Sequence, residues 1–566
     1  LIMRIVHSLK QKTVEQKEVK NEIPSLLALS NKGDYLWMKG IPESRYEGWF
    51  CKLKGDLYKI IEGINVEGSE PVSEIRNNFG YLTRKRGDLE EFFTLSKLSH
   101  ALAYELNEKR RVEIFFDQRR SYDPGEGCDY DFYIEEGAYI VEFHNGIFLA
   151  IDCEEATDIR EAMERYYPYD EKRISPPFSK KVQKGVSLYG KRFIFVAGES
   201  KKEVLGHIRK VFIREGAEES KRIDIHCAQQ SLAGLLVSEE TGLYAGIPWF
   251  FQFWPRDEAV SLKSLFTVSP KKAREIYFRI IEDTMQKGPA GTMNADAGGW
   301  AFKRTEDFLP FFSLSEKEKV RRMLKKCIEE CLWSFTEDGL AISRPHETWM
   351  DSLRRDGARI EIQAMRLNMY KLAASLAKRR SEKNLYMKME KEMKEKVRKR
   401  FFDGKMLYDG YCPRKKEIDK SIRPNIFIAA YIYPDLLSKE EWKKCFDDAL
   451  KALWLPWGGL STLSKDDDDF HEIHTGEDAR SYHQGDSWFY LNNLVALVLH
   501  RFDSERYAFH IDKIMQASKE ELMWKGAIGC HGEVSSSKEL KSEGCANQAW
   551  SNAMYLEAVE EIEDLS

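Results

Sequence analysis

The sequence contains no Cys-x-x-Cys pair, no long apolar run and no surplus of positive charge. Its ten cysteines, at 51, 128, 153, 227, 327, 331, 412, 445, 530 and 545, stand singly along 566 residues. That spacing excludes a disulfide-built scaffold and predicts free thiols in a reducing compartment. The most apolar short stretch, 246–254, ends at Arg256 and Asp257 and is too short to cross a bilayer. Residues 1–22 have no apolar core of the kind a secretory signal needs. With 88 Lys and Arg against 93 Asp and Glu, the formal charge is −5, so no global positive field collects phosphates. These absences predict a cytoplasmic protein with a neutral substrate and neither nucleic acid nor membrane as partner; oligomeric state is not legible. There is also no P-loop and no Gly-rich dinucleotide turn after a strand, so no cofactor is expected.

What is present is a folded chain, 42% hydrophobic, 32% charged and 12% aromatic. Its length allows two to four domains, or one large repetitive fold beside a smaller one. The first two hundred residues carry strand signals. RVEIFFD (111–117) alternates, RFIFVAG (192–198) and DYLWMKG (34–40) are β-rich, and AYIVEFHNGIFLAID (138–152) holds Asn145-Gly146 between two apolar runs, a strong hairpin signal. Residues 162–167 read as a helical turn and 172–181 as a Pro-containing connection. An antiparallel β-sandwich over 1–200 is expected, then a linker helix over 201–224.

From residue 225 the period changes to 3.6. Val320, Met323, Leu324, Cys327, Cys331 and Phe335 form one apolar stripe, and Leu385, Met389, Met393, Val397 and Phe401 another. Helices are expected over 226–238, 256–267, 270–286, 302–313, 316–336, 357–378, 381–402, 423–436, 438–454, 483–502, 504–524 and 543–563. Twelve helices can close as six hairpins into an (α/α)6 barrel over 225–566, with a cleft formed by the loops at one end, although no repeat period is visible.

Those loops are crowded with Trp, Tyr, Arg, Asp and Glu. Sugars need aromatic faces for their C–H surfaces and charged or amide groups for their hydroxyls. Most of the thirteen Trp have a core reading as well. The loop 336–356 offers Glu347 and Asp351 beside Trp349. A carboxylic acid packed on an indole loses hydration and can hold a proton for a leaving oxygen; the alternative is a capping Asp or one paired with Arg354 or Arg355. The Gly-rich loop 525–544 holds Glu533, which taken alone is a solvated carboxylate. These two acids lie 182 residues apart and meet only if a helical ring brings both loops to one rim.

The same residues resemble the glycogen-debranching amylo-α-1,6-glucosidases. TWMD at 348–351 followed by EIQA at 361–364 is similar to that family's TWMDA…EIQAL signature. SIRPN (421–425), LPWGGLSTL (455–463), YHQG (482–485) and EGCANQAWS (543–551) follow in the family's order. FWPRD (253–257) resembles the W-x-RD element of glucoamylase-like barrels, and 27–50 the opening of the family's N-terminal domain. Six ordered matches cover most of the chain and are strongest from residue 336.

The resemblance implies an N-terminal β-sandwich and an (α/α)6 barrel that hydrolyses α-1,6-glucosidic stubs of glycogen or branched dextrin with inversion, Asp351 as acid and Glu533 as base. Inversion places the carboxyl groups ~6.5–9.5 Å apart, leaving room for water. Trp254, Arg256, Asp257, Trp349, Glu361, Arg423, Asn425, His483, Gln484 and Trp550 are the expected substrate-binding residues. Each has a structural alternative: an Arg256–Asp257 pair, a Glu361 salt bridge to Arg359 or Arg366, an ordinary helix start at Pro424, a core Trp550.

The sequence departs from the family where Ser461 replaces an arginine, where 486–490 reads DSWFY, and where GEVSSS follows the last turn without the usual FDGD. These edit cleft walls and leave both carboxylates. Nothing before residue 225 has the βα alternation of a glucanotransferase barrel. His471 and His474 lie three apart and do not make an HExxH pair, 466–469 lacks a cation loop, and Cys530, Glu533 and Cys545 lack zinc spacing, so no metal is expected. A glucoamylase- or trehalase-like α-glucosidase, and a catalytically silent glucan-binding protein, are the rival readings.

Overall fold

The computed structural model describes residues 2–9, 13–20, 24–210, 222–291 and 294–563. Two β-sheets occupy the N-terminal region, one of twelve strands and one of five. Ala101–Phe116 and Ser179–Gly198 form the spine of the larger sheet, antiparallel from Ala101↔Val196 to Phe116↔Gln183. The Asn145-Gly146 turn falls as its sequence predicts: Ala138–Phe143 pairs with Ile147–Asp152, and Gly146 takes the left-handed φ of 76° that tight hairpins require. Among the described strands of these two sheets, pairing is antiparallel except between Ile2–Leu9 and Glu74–Asn77. The sheets face each other across one core, in which Leu36, Trp49 and Ile60 of the smaller meet Phe93, Tyr104 and Phe195 of the larger. Residues 162–167 are not the helical turn their sequence predicts. Residues 162–166 continue the strand Glu155–Tyr166, whose partner Ser179–Gly198 supplies the hydrogen bonds that local propensity does not, and Tyr167 caps the next helix.

Helix Lys201–Ile208, capped by the Ser200 side chain, packs against strands Ile147–Asp152 and Ser179–Gly198. The remainder of the expected connection, 211–221, lies outside the described residues.

Twelve α-helices follow among the described residues, one for each expected, with ends displaced by up to ten residues, the largest where the helix expected over 316–336 gives way after Lys326 to a π turn. Six of them contact one another in cyclic order: Pro255–Val268, Ala297–Phe308, Ile360–Leu376, Asn425–Ile432, Phe489–Asp503 and Ala549–Ile562, the last returning to the first. We call these the ring helices. They are buried nearly all round, as 489–499 and 549–559 show, so no single apolar stripe marks them. The other helices flank the ring and are amphipathic. In Arg380–Phe401 the buried face runs through Tyr386, Met393, Val397 and Phe401, whereas Leu385, expected on that stripe, is exposed; the face passes one residue further on. Arg256 and Asp257 sit in the first turn of the first ring helix, behind Pro255 at its start.

Aromatic residues of the β-region enter the helical core. Tyr35 stacks on Phe50 and Phe251, at centroid distances of 4.6 and 5.7 Å, and Leu9, Trp37 and Tyr46 share a continuous apolar cluster with the ring. The two regions thus exclude water from a common boundary, and the N-terminal region reaches the mouth of the ring.

Candidate active site

A cavity of about 350 Å³ opens where the loops at one end of the ring converge. Trp254, Arg256, Asp257, Trp349, Asp351, Glu533 and Trp550 all line it. Residues from three distant stretches of sequence therefore meet at one wall, and short two-stranded ribbons are what hold them. Ser487–Trp488 pairs with Val534–Ser535, fixing the residue before Val534, which is Glu533. Gly246–Ile247 pairs with Asn547–Gln548, bringing Trp249 toward Gln548 and Trp550.

Glu533 is fully buried and pinned through its backbone: its N–H donates to Cys545 O at 3.1 Å and its carbonyl accepts from Phe489 N at 3.2 Å. Its side chain accepts one hydrogen bond from the Tyr482 hydroxyl at Oε1 and another from Cys545 N at Oε2, 2.9 Å. Burial raises its pKa to about 7, against the opposing pull of those two donors. Gly544 lets the loop pass close by; a Cβ there would lie 2.3 Å from Glu533 Oε2, and its φ of 70° favours glycine.

Asp351 is half-exposed on another loop that lines the same cavity. The group against its carboxylate is the Arg256 guanidinium, Nη2 donating to Oδ2 at 3.0 Å, with Trp349 beside them in the wall. Arg256 is buried and its Nη1 donates to Asn294 Oδ1 at 2.7 Å and to Thr348 O at 3.2 Å, which sets the angle at which it meets Asp351. Asp257 accepts from Gln548 Nε2 at 3.0 Å, and burial pushes its pKa up to about 7 even with the Arg256 charge beside it. Asp296, at the start of the second ring helix, is also buried near Arg256, and burial raises it to about 6.

Five of the expected binding residues stand behind this wall instead of in it. Asn425 accepts from Trp349 Nε1 at 2.7 Å and donates to Asp409 at 2.6 Å. Arg355 donates to Glu361 (2.7 Å) and to Asp409 (2.8 Å), so Glu361 pairs with Arg355 and not with Arg359 or Arg366. Arg423 donates to the carbonyls of Thr462 and His483. His483 stacks on Trp488 at 5.1 Å, meets Trp349 edge-on, and contacts Ser352 Oγ through Nδ1 at 2.7 Å; burial keeps it neutral by lowering its pKa. Gln484 accepts from His471 N through its backbone carbonyl, 2.7 Å. Asn425 and His483 are the two of them that touch the Trp349 indole. Trp550 stacks on Tyr490 at 4.0 Å, one of the residues that depart from the family pattern.

The departures are absorbed locally. Ser461 is buried and bonds the carbonyls of Leu453 and Leu463, away from the cavity wall. Asp486 accepts from Ser481 and from His474, whose ring lines the cavity. Cavity residues missed by sequence reasoning are Tyr482, Gln548, Trp488, His474, Trp249 and Arg173. Tyr482 and Gln548 lie inside the family-like motifs; nothing in the sequence around Arg173 points to the cavity. Elsewhere, Asp34, Cys51 and His100 are close enough to hold a cation, and there His100 Nδ1 already meets both Asp34 oxygens at 2.9 and 3.0 Å, a satisfied ion pair.

Residues 334–557 match the family model described as amylo-alpha-1,6-glucosidase. No curated protein matches the chain in sequence. Among solved structures, a bacterial glucoamylase complexed with acarbose is similar over 96% of both chains, at 10% identity and a TM-score of 0.61, which shows a shared fold. A GH63 mannosylglycerate hydrolase from Thermus thermophilus in complex with glucose covers 58% of this chain and 98% of its own, at 12% identity and a TM-score of 0.46. The stretch that carries Asp351, Tyr482, Glu533 and Trp550 is therefore similar to the amylo-alpha-1,6-glucosidase family, and the chain shares a glucoamylase-like fold.

Proposed function

We propose that this protein is an inverting α-1,6-glucosidase that releases glucose from branch points of glycogen-like glucans in the cytoplasm, as in glycogen debranching. We read residues 1–200 as its β-sandwich domain and 225–566 as an (α/α)6 catalytic barrel. The observation that carries this is the convergence of Asp351 and Glu533, from loops 182 residues apart, on one tryptophan-lined cavity within the family match.

In this reading Asp351 donates its proton to the glycosidic oxygen, and the C1–O bond breaks through an oxocarbenium-like sugar. Glu533 takes a proton from the water that attacks C1 from the opposite face. Its raised pKa suits that role, because a base near the working pH is ionised in useful fraction yet accepts a proton readily. Arg256 bonds one Asp351 oxygen, leaving the other to carry the proton. Asp257, Trp254, Trp349 and Trp550 are the groups that fix the glucosyl hydroxyls and faces.

The test is glucose release from a glucosyl-branched dextrin beside a linear maltooligosaccharide, with the anomer of the product followed by NMR. β-Glucose from the branched substrate alone is expected, and Asp351→Asn or Glu533→Gln in a folded protein should lower kcat on the order of 10²–10⁴-fold. Equal activity on the linear chain moves the assignment to a glucoamylase-like enzyme. Glucan binding without hydrolysis marks a binding protein, and α-glucose as first product removes inversion.

A further inference from the structure

One wall of the cavity comes from outside the helices. Arg173 caps the short helix Pro168–Lys172 in the β-region and lines the cavity together with Trp249 and Glu477. Its backbone is held tightly. Asp170, buried beneath, accepts from Ser44 Oγ and Arg45 N at 2.7 Å each, and Ser175 is bonded by the Arg45 guanidinium. Arg173 O accepts from Glu477 N at 2.8 Å, where Gly476, at φ 66°, leaves no room for a Cβ.

The side chain is held quite differently. The guanidinium lies flat on Trp249, its Cζ 3.3 Å from the ring centroid, and Trp249 is itself fixed through its carbonyl by the Tyr122 hydroxyl at 2.7 Å. Among the described residues its side chain has one hydrogen bond, a long one, Nη2 to Glu477 Oε1 at 3.4 Å, while Nε and Nη1 are buried with no partner there. Arg173 is 6% exposed, and Glu477 is half-exposed. A buried guanidinium ordinarily satisfies its donors, because unmet donors of a charged group cost more than a typical hydrogen bond returns. Here two donors are left unmet in a side chain that lines the same cavity as Asp351 and Glu533. The stack also covers one face of Trp249, which leaves that face closed to a sugar ring.

We propose that Arg173 is a substrate-binding residue, contributed by the β-region, that donates to hydroxyl oxygens of the bound α-glucan, and that Glu477 is the group those oxygens displace. This rests on the glucan reading above. The planar fork suits the two neighbouring oxygens of a sugar diol, and turning toward them relieves the long contact with Glu477.

The two members of the pair then have opposite signs. Calorimetric titration with a branched dextrin is made in the Glu533→Gln background, where the ligand is not cleaved. Arg173→Met, which keeps a side chain on Trp249, should weaken binding roughly 10–100-fold, with Arg173→Lys between. Glu477→Gln should tighten it a few-fold. A structural salt bridge would instead lower the unfolding temperature in both variants and leave affinity alone. Dextrin binding unchanged in Arg173→Met, or weakened in Glu477→Gln, overturns the inference while leaving the debranching reading standing. If the parent binds neither branched nor linear α-glucan, the debranching reading falls and the proposed ligand of Arg173 with it.

Discussion

Glu533 exchanges stability for chemistry, and that exchange is measurable without substrate. Burial raises its pKa from 4.5 to about 7 in the folded protein. The folded value lies above the unfolded one, so the contribution to stability is fully present below about pH 4.5 and is lost as pH rises through about 7. At ~1.4 kcal/mol per unit, the loss from this one group is about 3 kcal/mol by pH 8. Glu533→Gln removes the titration yet keeps the contacts: the amide oxygen accepts from Cys545 N, and the amide nitrogen donates to Tyr482, whose hydroxyl reverses its role. The quantity to measure is the unfolding temperature of the variant minus that of the wild type, by calorimetry at pH 4.5 and at pH 8. The subtraction cancels the carboxylates the two proteins share. That difference should move in favour of the variant by a few degrees between the two pH values, and activity should disappear. A difference that stays constant with pH would mean that Glu533 ionises in the fold as readily as in water, and would refute the account of the base as a carboxyl held up by burial.

Other outcomes follow from the same geometry. kcat/KM should rise with pH through an acid limb near 7, because Glu533 must be ionised to take the proton; a limb near 4.5 would assign the base elsewhere. Tyr482→Phe removes a donor that favours the ionised form, so the limb should move to higher pH and kcat/KM at pH 6.5 should fall about tenfold, read from the same profiles. Gly544→Ala drives a Cβ to 2.3 Å from Glu533 Oε2, so kcat should fall more than KM changes in steady-state assays of a folded variant. Arg355→Met strips the cation from buried Glu361 and leaves Asp409 only its longer contact with Arg359, and should cost about 3–5 kcal/mol, seen as a drop in denaturant midpoint.

Much of the architecture was legible from local pattern. Period-2 runs and Asn145-Gly146 marked strands and a hairpin, because a turn with positive φ at Gly146 needs nothing from the rest of the molecule. Period-3.6 segments marked twelve helices. Residues 162–167 misled because their strand is stabilised by pairing with 179–183, an interaction no window of sequence contains. Helix ends slipped for a related reason: the start of the third ring helix, Ile360, follows a ribbon formed by 358–359 with 410–411.

The candidate site divides along the same line. Asp351, Glu533, Arg256, Asp257, Trp254, Trp349 and Trp550 were nameable because each sits in a motif dense with chemistry-bearing residues. What sequence could not supply was depth. Glu361, Arg423, Asn425 and His483 have the composition of sugar-binding groups, yet they stand behind Trp349, since which polar residue faces the cavity depends on how six helices and their ribbons pack. Sequence alone determined which residues carry acid, charge and aromatic surface, and in which elements, because propensity, period and motif are local properties. Only the tertiary structure decided that Glu533 is dry enough to titrate near 7 and that an arginine from the β-region closes the wall, because burial and convergence are sums over residues hundreds apart in the chain.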